Sequence, residues 1–497
     1  MLTVAEIQQF IADDEQSEKK RFARVGERYS EGVHDILNSR LFYYNADGKL
    51  EEDKVRANTK IVHPFFMELN QQLAPYMLSF KENPIRANEN VKDLQQYLDL
   101  YFDDIFWAEI ADLIRGADAK GFEYIFGYKN EDGRTVFECA DSMGVVEVRE
   151  EDTDDKCKYI IYWYIDRIEK GRKQIRRIQV WSENDVTYYV QDGESGEIIL
   201  DKFVKENPRP HIILYNDKGE RMGMPLGYIP FWRLDNNRKQ ISNLKAIKAI
   251  IDDYDCHASA LSNNLIDFDS PIYVVTGFDG DLDEIYQNIR TKKTMGIPDS
   301  SGGVEIKTST IPFEARKAKL EIDERDIYKF GFGLNTMGLK DTNATTNLAI
   351  KAAYASLKLR ADRLQTRLKA LLRDIIKVVL AELNEEHNTD YQITDVYFDF
   401  VRETMTNETE NVQNAKTEAE TEQIRLTSIL NIALNIGDEQ ALRAICDIME
   451  WDFDELQSKV EEIKAEEQST ASARAMLNGV VAEDEQTATI SAASIPQ

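Results

Sequence analysis

Cysteine, histidine, basic charge and long apolar runs are all scarce in this chain, and each scarcity removes a class of protein. Four cysteines in 497 residues, Cys139, Cys157, Cys256 and Cys446, lie far apart with no CxxC pair. That pattern fits a reducing compartment and argues against a disulfide scaffold or a cysteine zinc module. The five histidines, His34, His63, His211, His257 and His387, are scattered singly, and a lone histidine is more often a surface or satisfied core residue than a ligand or base. The densest apolar stretch, Ile375 to Leu383, is interrupted by Lys377 and Glu382, and the opening Met-Leu-Thr-Val-Ala-Glu-Ile lacks a basic region followed by an apolar one. Neither membrane spanning nor secretion is expected from these features. The 61 Lys and Arg face 90 Asp and Glu, a formal net charge of -29 at a pI near 4.7. Wrapping nucleic acid requires cations to neutralise phosphates, so the charge balance argues against a wrapping surface, whereas a polyanion passing through would be repelled.

Motifs for chemistry are missing as well. There is no GxxxxGK[ST] phosphate loop, GxGxxG fingerprint, HExxH pair or GxSxG elbow, so no catalytic residue, metal or cofactor is assigned. The run Asp279-Gly280-Asp281-Leu282-Asp283 opens like a calcium loop, but Glu284 stands where that loop needs glycine and Arg290 where it needs a bidentate glutamate. The pairs Asp252-Asp253 and Asp154-Asp155 read as solvated faces, because adjacent residues do not face each other on a helix. Tyr162-Trp163-Tyr164, in a β-like run, reads as sheet packing rather than a base-stacking platform.

What is present is enough apolar residue, 42%, to build two or three packed units. Up to about residue 115 the period is helical, for example Ile61 to Phe80 and Val91 to Gly116. From Phe122 to about Leu214, runs such as Tyr159 to Ile165 and Ile175 to Trp181 alternate with turn signals at Gly133 and Gly193, predicting antiparallel hairpins. Asn236 to Leu265 carries apolar residues three or four apart and predicts one long helix. A small α/β insertion follows, with β-like runs Ile272 to Thr276 and Val304 to Thr308 around a short helix Leu282 to Arg290. A helix Phe313 to Phe330 stops at Gly331, and a loop Gly333 to Thr345 leads to a very long helix from Thr346 to about Asn384. Tyr391 to Val401 reads as a strand, and the remainder as acidic helix. Charge is segregated: Ala381 to Gln497 holds 26 Asp and Glu against 7 Lys and Arg, whereas Thr346 to Leu380 holds eight basic residues and two acidic.

Several segments, in this order, resemble portal proteins of long-tailed phages of Gram-positive hosts. Arg56 to Val62 running on to Phe80-Lys81-Glu82-Asn83-Pro84-Ile85 is similar to that family's Asn-x-Ile-Val helix with a Pro-Ile exit, with two residues rather than one between Asn58 and Ile61. Gly121 to Tyr128 resembles the strand opening the family's β-rich wing. The most specific stretch is Gly227-Tyr228-Ile229-Pro230, paired Asn236-Asn237, and Ile251-Asp252-Asp253-Tyr254-Asp255, followed by Ser259 and Asn263-Asn264. Phe231-Trp232-Arg233 is bulkier than the usual family run, and the Gly333 to Thr345 sequence has no recognised counterpart.

The resemblance implies a mainly helical α+β, ring-forming portal fold: wing 1–234 and 346–406, first stem helix 235–267, clip 268–311, second stem helix 312–332, tunnel loop 333–345 and crown 407–467, while the composition of 468–497, rich in Ala, Ser, Thr and Glu, reads as a mobile tail. It implies a non-enzymatic virion protein, assembled in the host cytoplasm as a ring of twelve at one capsid vertex. Its partners would be the terminase large subunit, head-completion or adaptor proteins, major capsid and scaffolding proteins, and the double-stranded DNA in its channel. Channel candidates are Lys340, Asn335 and Asn343 in the loop and Arg238, Lys245 and Lys248 near the wing end of the first stem helix. The alternative for those helix charges, with Asp252, Asp253 and Asp255 following them, is an ordinary amphipathic surface. Asp281, Asp283, Lys292 and Lys293 are the candidate clip contacts. The rival readings are a metal-dependent DNA-processing enzyme and another virion scaffold or adaptor.

Overall fold

A computed structural model describes residues 1–54, 56–130, 133–150, 157–169, 173–193, 196–215, 221–268, 272–276, 303–307, 312–335 and 347–402, with helical stretches between 416 and 459. The chain divides into two compact units, one of residues 1–344 with 348–405 and one of 345–347 with 406–497. Helix and sheet are both extensive, so the fold is α+β.

Helix α1 (Val4–Gln16) opens with a capping box: Thr3 accepts the Glu6 amide while the Glu6 carboxylate takes the Thr3 N–H at 2.7 Å. Its buried Ile7 and Ile11 pack on the main sheet, and α2 (Glu18–Ser30) follows directly after Ser17, which caps it. A short hairpin comes next, β1 (Phe42–Tyr44) with β2 (Leu50–Glu52). The helix expected over Ile61 to Phe80 is shorter, α3 (Phe65–Met77). Residues 61–63 are extended because their amides are spent elsewhere, Ile61 N–H on Ser259 Oγ at 2.9 Å and His63 N–H on Asp255 at 2.9 Å, and Pro64 then marks the start.

Strand β3 (Ile85–Ala87) leads into the region expected as one helix, Val91 to Gly116. It is two, α4 (Lys92–Tyr101) and α5 (Asp104–Lys120), because the Asp103 carboxylate accepts the Phe106 N–H at 3.0 Å and caps a fresh start. Gly116 lies inside α5. The stop is Gly121, at φ 98°, where an added Cβ would also sit 2.5 Å from the Gln240 carbonyl oxygen. Similarly, a Cβ on Gly26 would lie 1.9 Å from the Ala119 carbonyl oxygen, so α2 crosses α5 at backbone distance.

The expected hairpins are there. Strands β4 (Phe122–Lys129) and β5 (Thr135–Ala140) form a sheet with the later β14 (Phe231–Asp235), in the order β14-β4-β5. Strands β6 (Val145–Val148), β7 (Tyr159–Glu169), β8 (Lys173–Trp181), β9 (Asp185–Asp192) and β10 (Ile198–Leu200) form an antiparallel sheet in sequence order, with β11 (Arg209–Pro210) on β9. Strands β12 (Ile212–Tyr215) and β13 (Arg221–Met224) pair separately. Along β7, Trp163 joins the cluster under α1, while Tyr162 meets Phe126 and Phe231 at ring distances of 5.8 and 6.0 Å. This is the alternating packing expected of a half-buried strand, in line with the sheet reading of Tyr162-Trp163-Tyr164.

The helix expected over Asn236 to Leu265 begins late, as α6 (Lys248–Phe268), after a 3-10 turn at Asn243–Ala246. The paired asparagines explain the delay. Both side-chain amides donate to the Ile241 carbonyl, at 3.0 and 2.6 Å, Asn237 Oδ1 accepts from Lys239 and Ile241, and Gln240 sits at φ 55°. These side chains satisfy the backbone in a turn that a helix would have to undo. The helical spacing of Ile241 and Leu244 persists through that turn, with Leu244 buried in the core and Ile241 half-buried.

Strands β15 (Ile272–Thr276) and β16 (Gly303–Lys307) pair antiparallel, and the expected helix Leu282 to Arg290 lies outside the described residues. Helix α7 (Phe313–Phe330) ends at Gly331 as expected. Helix α8 (Asn347–His387) is 41 residues long. Of the expected strand Tyr391 to Val401, only β17 (Val396–Phe398) forms, pairing with β3 after a 3-10 turn at Ile393–Asp395. The largest core is built where α8 lays Leu368, Leu372, Ile375 and Val379 against α3, α4 and α5. Each such buried side chain contributes about 1.5–3 kcal/mol. In the second unit, α9 (Asp438–Met449) is the longest described helix.

Candidate functional site

Helices α6 and α7 run antiparallel over a shared core of Ile247, Ile251, Ile327 and Tyr328 that also takes in Tyr29, Phe66 and Leu69. Polar bridges fix their relative height. Lys319 on α7 reaches Asp253 on α6 at 2.5 Å and also holds Asp323, one turn away on its own helix. At the start of α6 the Lys248 ammonium lies between Asp35 at 2.7 Å and Asp252 at 2.6 Å, 4.9 Å from the Tyr29 ring centroid. Asp252 also accepts from the Tyr29 hydroxyl. The Asp252-Asp253 pair, expected as a solvated face, is therefore engaged by partners from α2, α6 and α7, with each carboxylate serving a different neighbour.

Asp255 lies deeper, with no exposed surface. His34 Nδ1 meets one carboxylate oxygen at 2.6 Å, and His63 Nδ1 and the His63 backbone N–H meet the other at 3.1 and 2.9 Å. Burial alone would push the Asp255 carboxyl up, but the hydrogen bonds from His34 and His63 outweigh it and hold it below the usual range. His34 stacks on Tyr29, with centroids 4.4 Å apart. Two histidines that look solitary in the sequence thus converge on one carboxylate. His34 is a fully buried core residue, bonded through Nδ1 but with its Nε2 unpartnered among the described residues, and the cluster fastens the segments around 34 and 63 to α6.

The second hub sits at the C-terminal end of α7. Asp118 on α5 is fully buried and accepts from Arg360 on α8, from Asn70 at 3.0 Å and from Asn243 at 2.5 Å. The Arg360 guanidinium also donates to the carbonyls of Leu69 at 3.2 Å and Gly331 at 3.3 Å. One arginine therefore joins the end of α7, the body of α8 and the helical core. Gln72 clasps Leu334 on both sides, accepting its N–H at 2.9 Å and donating to its carbonyl at 3.0 Å. An added Cβ at Gly333 would stand 1.9 Å from Leu69 Cδ2. The chain thus leaves residue 335 from a fixed platform.

Of the sequence-derived channel candidates, Arg238 and Lys245 are exposed. Arg238 belongs to the asparagine turn and Lys245 to the 3-10 turn, its ammonium 5.9 Å from the Phe22 ring centroid. Lys248 stands in the ion pairs described above. Asn335, at the loop base, is half-buried and has partners of its own. Lys340, Asn343, Asp281, Asp283, Lys292 and Lys293 lie outside the described residues. Asp118, Arg360, His34 and His63 were not singled out as site residues from the sequence. Only Asp255, within its Ile-Asp-x-Tyr-Asp-like stretch, carried a local signal. Among the described residues no helix is long and apolar enough to cross a membrane, and no group of three or more His, Cys, Asp or Glu is arranged to hold a metal ion.

A family model described as phage portal protein, SPP1 Gp6-like, matches residues 8–473 of this chain. The portal protein of Bacillus phage SPP1 is 24% identical over 395 residues, which cover 78% of this chain and 76% of that protein. The portal protein of Clostridium phage phiCD119 is 26% identical over 412 residues, covering 77% of this chain and 85% of that protein. Among solved structures, a chain from the neck of a native GTA particle, computed with C12 symmetry, aligns with a TM-score of 0.35 at 16% identity, covering 63% of this chain and 76% of that one.

Proposed function

The chain belongs to the SPP1 Gp6-like family of phage portal proteins, and from that membership we propose that its copies close into a ring of twelve at one capsid vertex, forming the channel for DNA packaging and ejection. In this reading α6 and α7 are the stem, residues 268–311 with the β15–β16 pair are the clip that meets the terminase and then head-completion proteins, and 333–345 is the tunnel loop. Residues 1–234 and 346–406 form the wing, 407–467 the crown and 468–497 a tail. The protein works as a structural conduit rather than a catalyst.

The observation that supports this reading best is the pair α6–α7. Two antiparallel helices bridged by Lys319 leave one compact body, carry a strand pair at the far end, and return to a buried arginine hub at the base of a loop. That is a subunit built to hold a loop and a distal docking element at fixed heights. The net charge of -29 suits a conduit, because each added phosphate contact strengthens salt-dependent binding and would retain the duplex.

Native mass spectrometry of the purified chain, without DNA or nucleotide, is expected to show a closed ring near twelve subunits. Monomer or dimer alone at micromolar concentration would overturn the ring. A second expected outcome concerns Lys340, the single cation of the 333–345 loop. Repeated around a ring, it would form a collar of positive charge. Lys340→Glu is expected to leave assembly unchanged and to lower DNA packaging or retention. Variant procapsids that fill and hold full-length DNA at the parental rate and yield would reject the tunnel assignment.

A further inference from the structure

Strand β14 ends the sheet β14-β4-β5, and its outer edge pairs with no described strand. Just before it, the Pro230 carbonyl accepts the Gly127 N–H at 2.9 Å, and just after it Asn236 donates to the Gly121 carbonyl at 3.0 Å. Bonding direction alternates from residue to residue in an antiparallel ladder, so the even-numbered positions face β4 and the N–H and C=O groups of Arg233 and Asp235 face outward. Neither of those amides meets an acceptor among the described residues. Exposed edges are usually blunted by a proline, a lysine or a bulge. β14 has none of these, and its register is unbroken from Phe231 opposite Phe126 to Asp235 opposite Phe122.

A cleft of about 360 Å³ runs along this edge. One wall is β14 from Phe231 to Asp235, and the other is α8 at Arg367, Ala370, Leu371 and Asp374, a set spaced three and four apart on one helix face. Successive β14 residues belong to opposite faces of the sheet. Trp232 and Leu234 turn into the core with α8, whereas Phe231 packs in the cluster toward the main sheet and Arg233 reaches Glu147 on β6. A cleft lined by both sets follows the edge that lies between the two faces. With α8 as its far wall, the cleft admits growth of the sheet only along β14.

Charge narrows the occupant. Asp235 is matched by Arg233 at 2.8 Å and Asp374 by Lys377 at 2.8 Å. Arg367 is half-buried in the wall and has no carboxylate partner among the described residues, although the chain carries 90 Asp and Glu. Outward backbone groups two residues apart match an extended peptide, and a guanidinium fork matches a carboxylate. We infer that the β14 edge accepts an extended acidic segment of a partner protein as an added strand. The segment bonds through its main chain to Arg233 and Asp235 and places a Glu or Asp side chain on Arg367. The site lies within one subunit and does not depend on ring closure.

The probe is a displayed library of random decapeptides, panned on the parent chain and counter-selected on Ala370→Trp, which fills the cleft from an exposed helix position. Enriched peptides are expected to carry a Glu or Asp among β-prone residues and to bind Arg367→Glu about tenfold or more weakly. Changing that acidic residue of the peptide to Lys should restore binding to Arg367→Glu. Hydrogen exchange read by mass spectrometry reports the mode: the Arg233 and Asp235 amides should slow when an enriched synthetic peptide is added to the parent. This readout needs no variant, so it decides the question even where a substitution disturbs folding. No enrichment over Ala370→Trp would overturn the site. Bound peptides that leave both amides exchanging at the free rate would overturn strand addition, and binding unchanged in Arg367→Glu would overturn the carboxylate pairing.

Discussion

Asp118→Ala is expected to cost about 3–5 kcal/mol of stability, since removing one partner of a buried ion pair strands the other charge. Asp118 has no exposed surface, and among the described residues its carboxylate is the only one paired with the buried Arg360 guanidinium. The two carbonyls that Arg360 also contacts solvate it but do not neutralise it. The same variant strips the acceptor from Asn70 and Asn243. A shift of the denaturant midpoint at unchanged slope measures the loss. The double variant Asp118→Leu/Arg360→Leu should fall short of the single one, because it removes both charges from the interior. An Asp118→Ala chain within about 1 kcal/mol of the parent would mean that the hub is solvated, a value set by the cost of one unmade neutral hydrogen bond.

Asp255→Ala should be the next most damaging change and should alter the response to acid. It leaves three donors without an acceptor, from His34, the His63 ring and the His63 backbone, a loss of about 2–4 kcal/mol at neutral pH. The hydrogen bonds from His34 and His63 outweigh burial and hold the Asp255 carboxyl below the ordinary aspartate range in the folded chain, so the folded state binds its proton more weakly than the unfolded state does. Its contribution is complete above the unfolded pKa and disappears as pH falls through the lower folded one. The parent should therefore lose this increment only in strong acid, and the variant should lack it throughout. Limited proteolysis offers a local readout. Without Asp255 the segment 53–64 loses an anchor to α6, and cleavage there should appear at protease levels that leave the parent intact. An unchanged cleavage pattern would show that Ser259 and Asn263 hold the segment alone.

Both hubs illustrate what a sequence does and does not display. Helix α7 was legible end to end, because apolar spacing runs from Phe313 and a glycine sits where the helix needs a stop. The hairpins of the main sheet were legible from their turn glycines. The start of α6 was not, because Ile241 and Leu244 preserve the helical period through a turn imposed by Asn236 and Asn237. A cap is a side-chain bond to a particular amide, and spacing is blind to it. The division between α4 and α5 failed for the same reason at Asp103. For the site, Ile-Asp-x-Tyr-Asp-like residues on α6 were visible, but the partners that give Asp255 its meaning lie 221 and 192 positions away. Asp118 and Arg360 are 242 apart. In a chain that is 30% charged, one aspartate and one arginine at such separation carry no local mark of a pair.

The Lys319 bridge has a consequence for how the molecule fluctuates. Because α6 and α7 share one apolar seam and are bridged by Lys319, opening either helix exposes the seam face of the other, and the two are expected to open together. Amide hydrogen exchange across the two helices should accordingly proceed as a single cooperative event of common free energy, with α7 gaining no independent opening from its glycine end. Lys319→Met would remove the pin and keep the seam, so the exchange rates of the two helices should then separate, α7 becoming the faster.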